Sequence, residues 1–528
     1  MQPEPAPTRR ELLARIGAVA GGSAVYLAMT SLGLAAESTY AGPVRLEGDP
    51  KSASVLILGA GVAGMAAAME LRQAGYKVTV LDYNARPGGR TWTIRGGDRY
   101  EELGGAVQDC RFAEGLYLNP GPWRIPYHHF GMLDYCKRLG VALEPFIQVN
   151  HNAYIHGRSA YGGKPQRYRT VQADFHGATA ELLAKAVNAD TLDHVVSRDD
   201  REALLASLRS FGGLDSDYSY KTGYGSSSRR GWDKPPGGGV DGAPRVSQVG
   251  GSGDVLRSGL WRALAVAQDY DYQTTLFQPV GGMDMIARGF ARVVGDLIRQ
   301  NTKVTAVRQD EHGVTATWRD TVTGEAGQSR ADWCVCTIPL SVLSQIEMNV
   351  SLAMAAAIQA VPYAPGMKIG LQFRRRFWEQ DDAIYGGISY TDLPITQIGY
   401  PNSGYFADGP GVLLGAYPFG PYAYEFTSLP PEERVRRAVD DGARIHPQYQ
   451  AEFEHGVAVG WHRVPGNLGC FGMWSAEARR THYQNLCALD GRVVLAGEHV
   501  SYIPAWQEGA LLSALDAVGR LHRRVMAG

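Results

Sequence analysis

The stretch VLILGAGVAGMAAAMEL, residues 55–71, decides how this chain is read. An apolar run from Ser54 to Leu58 leads into Gly59, Gly61 and Gly64, and an Ala/Met-rich helical segment runs from Val62 to Gln73. The glycines have the G-x-G-x-x-G spacing between a strand and a helix. Gly59 allows the tight turn, Gly61 lets a pyrophosphate approach the backbone, and Gly64 lets helix and strand pack. The helix N-terminus then offers free N–H groups and a positive dipole end to phosphate. Gly75 suits the helix stop, and Lys77 to Leu81 alternates into a second strand. Asp82, at the end of that strand, is placed for ribose hydroxyls. The unit is βαβ with a parallel sheet, and it predicts a dinucleotide site.

The rest of the chain is compatible with a large soluble-type core. Its 528 residues suffice for two or three domains, and 45% hydrophobic with 20% charged residues is ordinary globular composition. A net charge of −1 gives no reason to expect nucleic acid or an anionic membrane as partner. The six cysteines, Cys110, Cys136, Cys334, Cys336, Cys470 and Cys487, form neither a paired framework nor a metal spacing, so no metal is expected. Cys334 and Cys336, in the strand-like WCVCTIPL, read as ordinary buried residues.

At the N-terminus, Thr8-Arg9-Arg10-Glu11-Leu12-Leu13 opens a mildly apolar stretch to Ala36, broken by Gly17, Gly21, Gly22 and Gly33. It is too polar and interrupted for a membrane span. It resembles a twin-arginine export signal, which implies export of a folded, cofactor-loaded protein. A surface helix with an incidental arginine pair would instead leave the protein cytoplasmic.

Beyond the βαβ unit, Phe130 to Arg209 reads as largely helical, and residues 212–253, rich in Gly, Ser, Pro and charge, as a long flexible surface loop. A helix is expected over 284–299. Strands are expected at 303–308, at 313–318 and in ADWCVCTI, and again in KIGLQF, AIYGGISY and GVLLGAY. A strand, a Gly-Glu turn and a final helix close the chain from Arg492.

Arg86-Pro87-Gly88-Gly89-Arg90, directly after Asp82, resembles the R-x-G-G-R segment of the flavin-containing amine oxidases. Leu495-Ala496-Gly497-Glu498 and Trp506-Gln507-Glu508-Gly509 look like that family's closing segment. Two flavin motifs bracketing one chain are far more specific than either alone. The resemblance narrows to bacterial L-amino acid oxidases at Gly121-Pro122-Trp123-Arg124-Ile125-Pro126, similar to their G-P-x-R-[IL]-P segment. It implies FAD as cofactor, with contacts at Gly59, Gly61, Gly64, Asp82, Gly89, Arg90, Trp123, Arg124, Val304, Trp461, Gly497, Glu498, Trp506 and Gln507. The family commonly has Glu where this chain has the shorter Asp82. No cysteine stands in a flavin-tethering context, so non-covalent FAD is expected.

For the substrate, the resemblance implies a carboxylate clamp of Arg124 and Tyr417, with Phe471, Ala505 and Trp506 lining the pocket. A guanidinium pairs with a carboxylate bidentately, which a plain amine substrate would not need. Lys368, in the strand-like MKIGLQF, matches the lysine that holds a water at flavin N5. His128 and His129 follow the arginine segment. Either could act as a base, but a structural or surface role is the expectation.

The implied fold is α/β, a discontinuous Rossmann-type FAD-binding domain with a mixed-sheet substrate domain and a helical insertion. The boundaries expected are 1–36 for the signal segment and 52–107, 270–345 and 488–528 for FAD binding. Residues 108–165 and 346–487 are assigned to the substrate domain and 166–269 to the insertion. The implied reaction is hydride transfer from the α-carbon of an L-amino acid to flavin N5, giving 2-oxo acid, ammonia and hydrogen peroxide with dioxygen as acceptor. An amine or polyamine oxidase, an amino-acid 2-monooxygenase and a flavin-binding interaction protein using the 212–253 loop remain as alternatives. The RPGGR and closing segments speak against a nicotinamide dehydrogenase. Relatives are often dimers, so a homodimer is compatible.

Overall fold

β1 (Ser54–Leu58), α1 (Val62–Gln73) and β2 (Lys77–Leu81) form where the pattern places them. These elements belong to a computed structural model that describes residues 38–189 and 197–528. Arg9-Arg10 lies outside the described residues. β1 and β2 pair in parallel, Val55 opposite Val78 and Leu58 opposite Leu81. On the far side of β1 lies Trp333–Cys336, also parallel, with Leu58 opposite Cys336. The sheet has six strands, in the order Ile298–Arg299, β2, β1, Trp333–Cys336, Val493–Leu495, Leu489–Asp490. Three distant stretches of chain therefore build one nucleotide-binding sheet.

α1 is buried along its whole first ten residues, Val62 to Leu71. An all-round buried helix needs small or apolar side chains on every face, and Ala66, Ala67 and Ala68 provide them. It packs on the sheet beneath and on the closing helix Gln507–Ala527 above, through Leu511, Ala514, Val518 and Leu521. The one buried charge on α1, Glu70, accepts hydrogen bonds from Tyr135 Oη at 2.5 Å and Arg138 Nη2 at 2.9 Å. Burial without those partners would be costly.

A second sheet of seven strands supports the other side of the site. Its order is Gln166–Arg167, Tyr154–His156, Ile388–Thr391, Gln397–Gly399, Gly411–Ala416, Met367–Phe373, Phe453–Gly460. A smaller sheet of Ile125–Pro126, Leu276–Pro279 and Leu143–Phe146 lies beside it.

The structure corrects four expectations. The stretch from Phe130 is helical only to Arg138 and from Tyr168 onwards; Leu143–Phe146, Tyr154–His156 and Gln166–Arg167 are strands. Leu143–Phe146 and Tyr154–His156 pair with chain more than a hundred residues away, a signal no local window contains, and Gln166–Arg167 pairs back on Tyr154 and Ile155. Residues 212–253 are not one loose loop. They hold a helix, Tyr224–Arg230, and the paired strands Trp232–Lys234 and Arg245–Val246. Arg230 and Tyr220 both bind the buried Asp174, Arg230 with two nitrogens at 2.9 Å, and so tie the segment down. The helix from Asp284 ends at Val294, and Ile298–Arg299 leaves it to become the sheet edge. AIYGGISY is strand only from Ile388, after Gly386 and Gly387 turn at positive φ. Cys334 and Cys336 are both fully buried and share one face, two residues apart on their strand. No helix among the described residues is long and apolar enough to cross a membrane.

Candidate active site

Gly59 turns at φ +104°, a conformation closed to most side chains, and sends the chain from β1 into α1. At Gly64 a Cβ would lie 1.8 Å from the Gly59 carbonyl oxygen, so only glycine lets the helix seat there. At Gly61, the N-cap of α1, a Cβ would meet no protein atom within 4 Å. The space it would enter belongs to a cavity of about 580 Å³ whose wall includes Gly59, Gly61 and Gly89. No side chain caps the α1 N-terminus and no acid stands in its first turn, so its N–H groups suit an anion.

Asp82 stands at the end of β2 in the same wall, 4% exposed. Its carboxylate accepts from Ala60 N at 2.6 Å and Asn84 N at 2.8 Å. Burial raises its pKa, and these N–H groups pull it back down. Across the cavity, Arg90 donates to Glu498 Oε1 and to the Cys470 carbonyl, both at 2.7 Å. Glu498 also receives the amides of Gly472 and Ala505, at 3.2 and 3.3 Å. The second of these bonds steadies Ala505 at φ +69°, a strained value for a residue with a Cβ. Gln507 Nε2 donates to Thr91 Oγ1 at 2.9 Å. The two ends of the chain are thus laced together around one space.

That wall also contains Val304, Tyr417, Trp461, Phe471, Gly497, Ala505 and Trp506. Gly64 lies beneath it, in the helix–strand contact. A smaller cavity, about 40 Å³, continues the first: Pro122, Tyr417, Ala505, Trp506 and Gln507 line both. Trp123 and Arg124 line only the small one. Arg124 is 8% exposed. Its guanidinium lies 4.5 Å from the Tyr272 ring centre, 5.3 Å from Trp123 and 5.8 Å from Phe146. Aromatic rings on several sides exclude water and leave the charge strong.

The loop carrying Arg124 is clamped. Lys368 Nζ donates to Gly121 O at 2.6 Å and Asn119 O at 3.2 Å, and Trp461 Nε1 donates to Pro120 O at 2.8 Å. A Cβ at Gly121 would sit 1.9 Å from the Arg90 carbonyl oxygen. Lys368 lines neither cavity. Its two hydrogen bonds go to the loop, and its Nζ lies 5.1 and 4.5 Å from the ring centres of Trp123 and Tyr417. Its visible part is to fix the arginine segment.

Burial, and then the Arg124 charge, lower the Lys368 pKa from 10.5 to about 7. Between those two values the unfolded chain carries the proton and the folded chain does not, so Lys368 makes stability rise with pH across that window. The expected result is that Lys368→Met flattens the slope of unfolding free energy between pH 7 and 10 by up to about 1.4 kcal/mol per pH unit. Urea melts of both proteins at several pH values measure it, and parallel slopes would contradict it.

His128 and His129 are each 1% exposed, so neither is a surface residue. Sequence reasoning missed Asp271, also 1% exposed, whose carboxylate stands 3.4 Å from His128 Nε2. Burial pushes its pKa up to about 6, with the neighbouring Asp269 adding to the rise. The adjacent His-His pair after the arginine was the one sequence signal available there.

Compared with known proteins, residues 62–522 match the family described as flavin containing amine oxidoreductase. Residues 28–91 also match the C-terminal domain of alanine dehydrogenase/PNT, which spans the first strand–turn–helix. An L-amino-acid oxidase of Siganus canaliculatus is 28% identical over 89% of this chain and 86% of its own. A putative L-amino-acid oxidase of Bacillus subtilis is 27% identical over 89% and 94%. Among solved structures, cyclohexylamine oxidase from Brevibacterium oxydans aligns with TM-score 0.59 at 17% identity, covering 90% of this chain and all of its own. Putrescine oxidase bound to putrescine aligns with TM-score 0.56 at 18% identity, covering 90% and 99%. At these identities the structural likeness speaks to fold alone.

Proposed function

We propose, from the premise that this chain belongs to the family of flavin containing amine oxidoreductases, that it oxidises free L-amino acids with dioxygen to 2-oxo acid, ammonia and hydrogen peroxide. The observation that carries the reading is a buried guanidinium, Arg124, in the wall of a small cavity that continues the large one. Its planar fork of donors suits a carboxylate bidentately, a group that a plain amine lacks.

The residues present fit FAD. The open side of Gly61 leaves room for a pyrophosphate, Asp82 in the same wall suits ribose hydroxyls, and the Arg90–Glu498 pair lines the same cavity. When bound, the flavin accepts the two electrons of the substrate Cα–H bond and passes them to dioxygen. The chain contributes position and a dry electrostatic setting. Arg124 takes the carboxylate, with the Tyr417 hydroxyl as a second donor. Trp123, Tyr272 and Phe146 keep water from the pair. Trp506 and Ala505 close the side towards the large cavity. The α-amino group must be neutral when the bond breaks, so turnover falls as pH falls.

Product analysis tests the reaction type. The expected result is one 2-oxo acid and one peroxide per dioxygen consumed; an amide without peroxide would mean a monooxygenase. The flavin should also come off in acid. Cys470 lines the large cavity, which the sequence did not foretell, but burial pushes its thiol up to about 11. A thiol held protonated is a poor nucleophile at neutral pH. Acid precipitation should therefore leave the yellow colour in the supernatant, and flavin retained on the pellet would refute non-covalent binding.

A further inference from the structure

Three buried side chains beside the small cavity have no part in the account above. His128, His129 and Asp271 are each 1% exposed, and a ligating atom of each lies within 4.8 Å of the others. His128 stacks on Tyr270 at 4.2 Å and faces Asp271. Asp271 also takes the indole N–H of Trp506. His129 stands edge-on to Trp506 at 5.0 Å and, unlike its two neighbours, lines the cavity that holds Arg124. The Arg124 charge acts on Asp271, which argues against a resident cation here.

His129 Nε2 is buried and has no hydrogen-bond partner among the described residues. Such an atom in a well-packed site calls for a ligand. An amino acid with its carboxylate on Arg124 has its α-nitrogen one carbon away from that carboxylate, so the amine must stay in the same small space. We propose that His129 recognises the substrate amine: its Nε2 accepts a hydrogen bond from the α-amino N–H while Arg124 holds the carboxylate. The inference rests on the amino-acid reading of the site.

The electrostatics agree. Burial, with the neighbouring His128, lowers the His129 pKa to about 3, so the ring is neutral at working pH. The titratable and charged groups around it are Arg124, His128, Asp271 and Glu508, the last binding the amides of Gly131 and Met132 on the helix that His129 begins. A neutral acceptor holds a neutral amine and gives an ammonium no countercharge. It takes an N–H from the amine without adding a negative charge, and the nearby Arg124 cation then disfavours the ammonium while anchoring the carboxylate.

The test uses the flavin-loaded enzyme. His129→Phe keeps a ring against Trp506 and removes the acceptor; His129→Gln restores an acceptor. Turnover of an L-amino acid is compared with binding of the des-amino carboxylate of the same side chain, followed by its competition with substrate. The expected result is a loss of about 10- to 100-fold in kcat/KM for His129→Phe, recovered to within about tenfold by His129→Gln, with the carboxylate's Kd changed less than about threefold. A wild-type kcat/KM in His129→Phe, or an equal loss for the carboxylate, would overturn the proposal. If His129→Phe does not fold, His129→Leu takes its place under the same criteria. Carboxylate affinity that ignores Arg124→Met would overturn the amino-acid reading itself, whatever the His129 variants do.

Discussion

Replacing Arg124 with methionine should lower kcat/KM for L-amino acids by about 30-fold to several thousand-fold while FAD stays bound. The pair that Arg124 makes with a carboxylate lies among Tyr272, Trp123 and Phe146, where little water remains to screen it. Removing one partner of such a desolvated pair costs about 2–5 kcal/mol, which gives that range. Methionine keeps the bulk, and the loop stays clamped by Lys368 and Trp461. The matching amines, which never used the guanidinium, should lose little. Tyr417→Phe should repeat the pattern more weakly, at about 0.5–3 kcal/mol for one hydrogen bond to a charge. Steady-state kinetics with flavin content measured alongside decide it; unchanged turnover on L-amino acids would remove Arg124 from the clamp.

The second large effect separates two glycines three residues apart. Gly64→Ala should cost about 3 kcal/mol or more, because its Cβ would lie 1.8 Å from the Gly59 oxygen, a backbone atom that cannot step aside. The protein should fold poorly and carry little flavin. Gly61→Ala should fold with an unchanged melting temperature when flavin-free, because its Cβ meets nothing within 4 Å. It should still bind flavin weakly, because that open side is where a pyrophosphate would pass. Thermal melts of the flavin-free proteins and flavin titrations separate the two. Equal behaviour of both variants would mean that the cradle has been misread.

The same contrast explains what could be read from the sequence. β1, α1 and β2 were legible to the residue, because an apolar run, a glycine turn and an Ala/Met helix are local signals. Leu143–Phe146 was not, because its partner is Leu276–Pro279, and Tyr154–His156 pairs partly with Ile388–Thr391. The segment after 212 looked loose from its glycines and serines, and its order depends on Asp174, on a different helix. Within the site, the flavin and arginine segments carried recognisable motifs. Asp271 carried none, and its place beside His128 exists only in the folded chain. Lys368 was singled out for a water at the flavin, whereas the bonds seen go to the arginine loop.

The central claim is that this site selects the carboxylate of a free amino acid. The most direct measurement is peroxide formation by the wild-type enzyme on each L-amino acid and on the amine left by its decarboxylation. The account predicts that, for the preferred side chain, the amino acid exceeds its amine in kcat/KM by at least about 30-fold, the lower end of what a buried arginine–carboxylate pair provides. An amine turned over as well as its parent amino acid, or better, would contradict it.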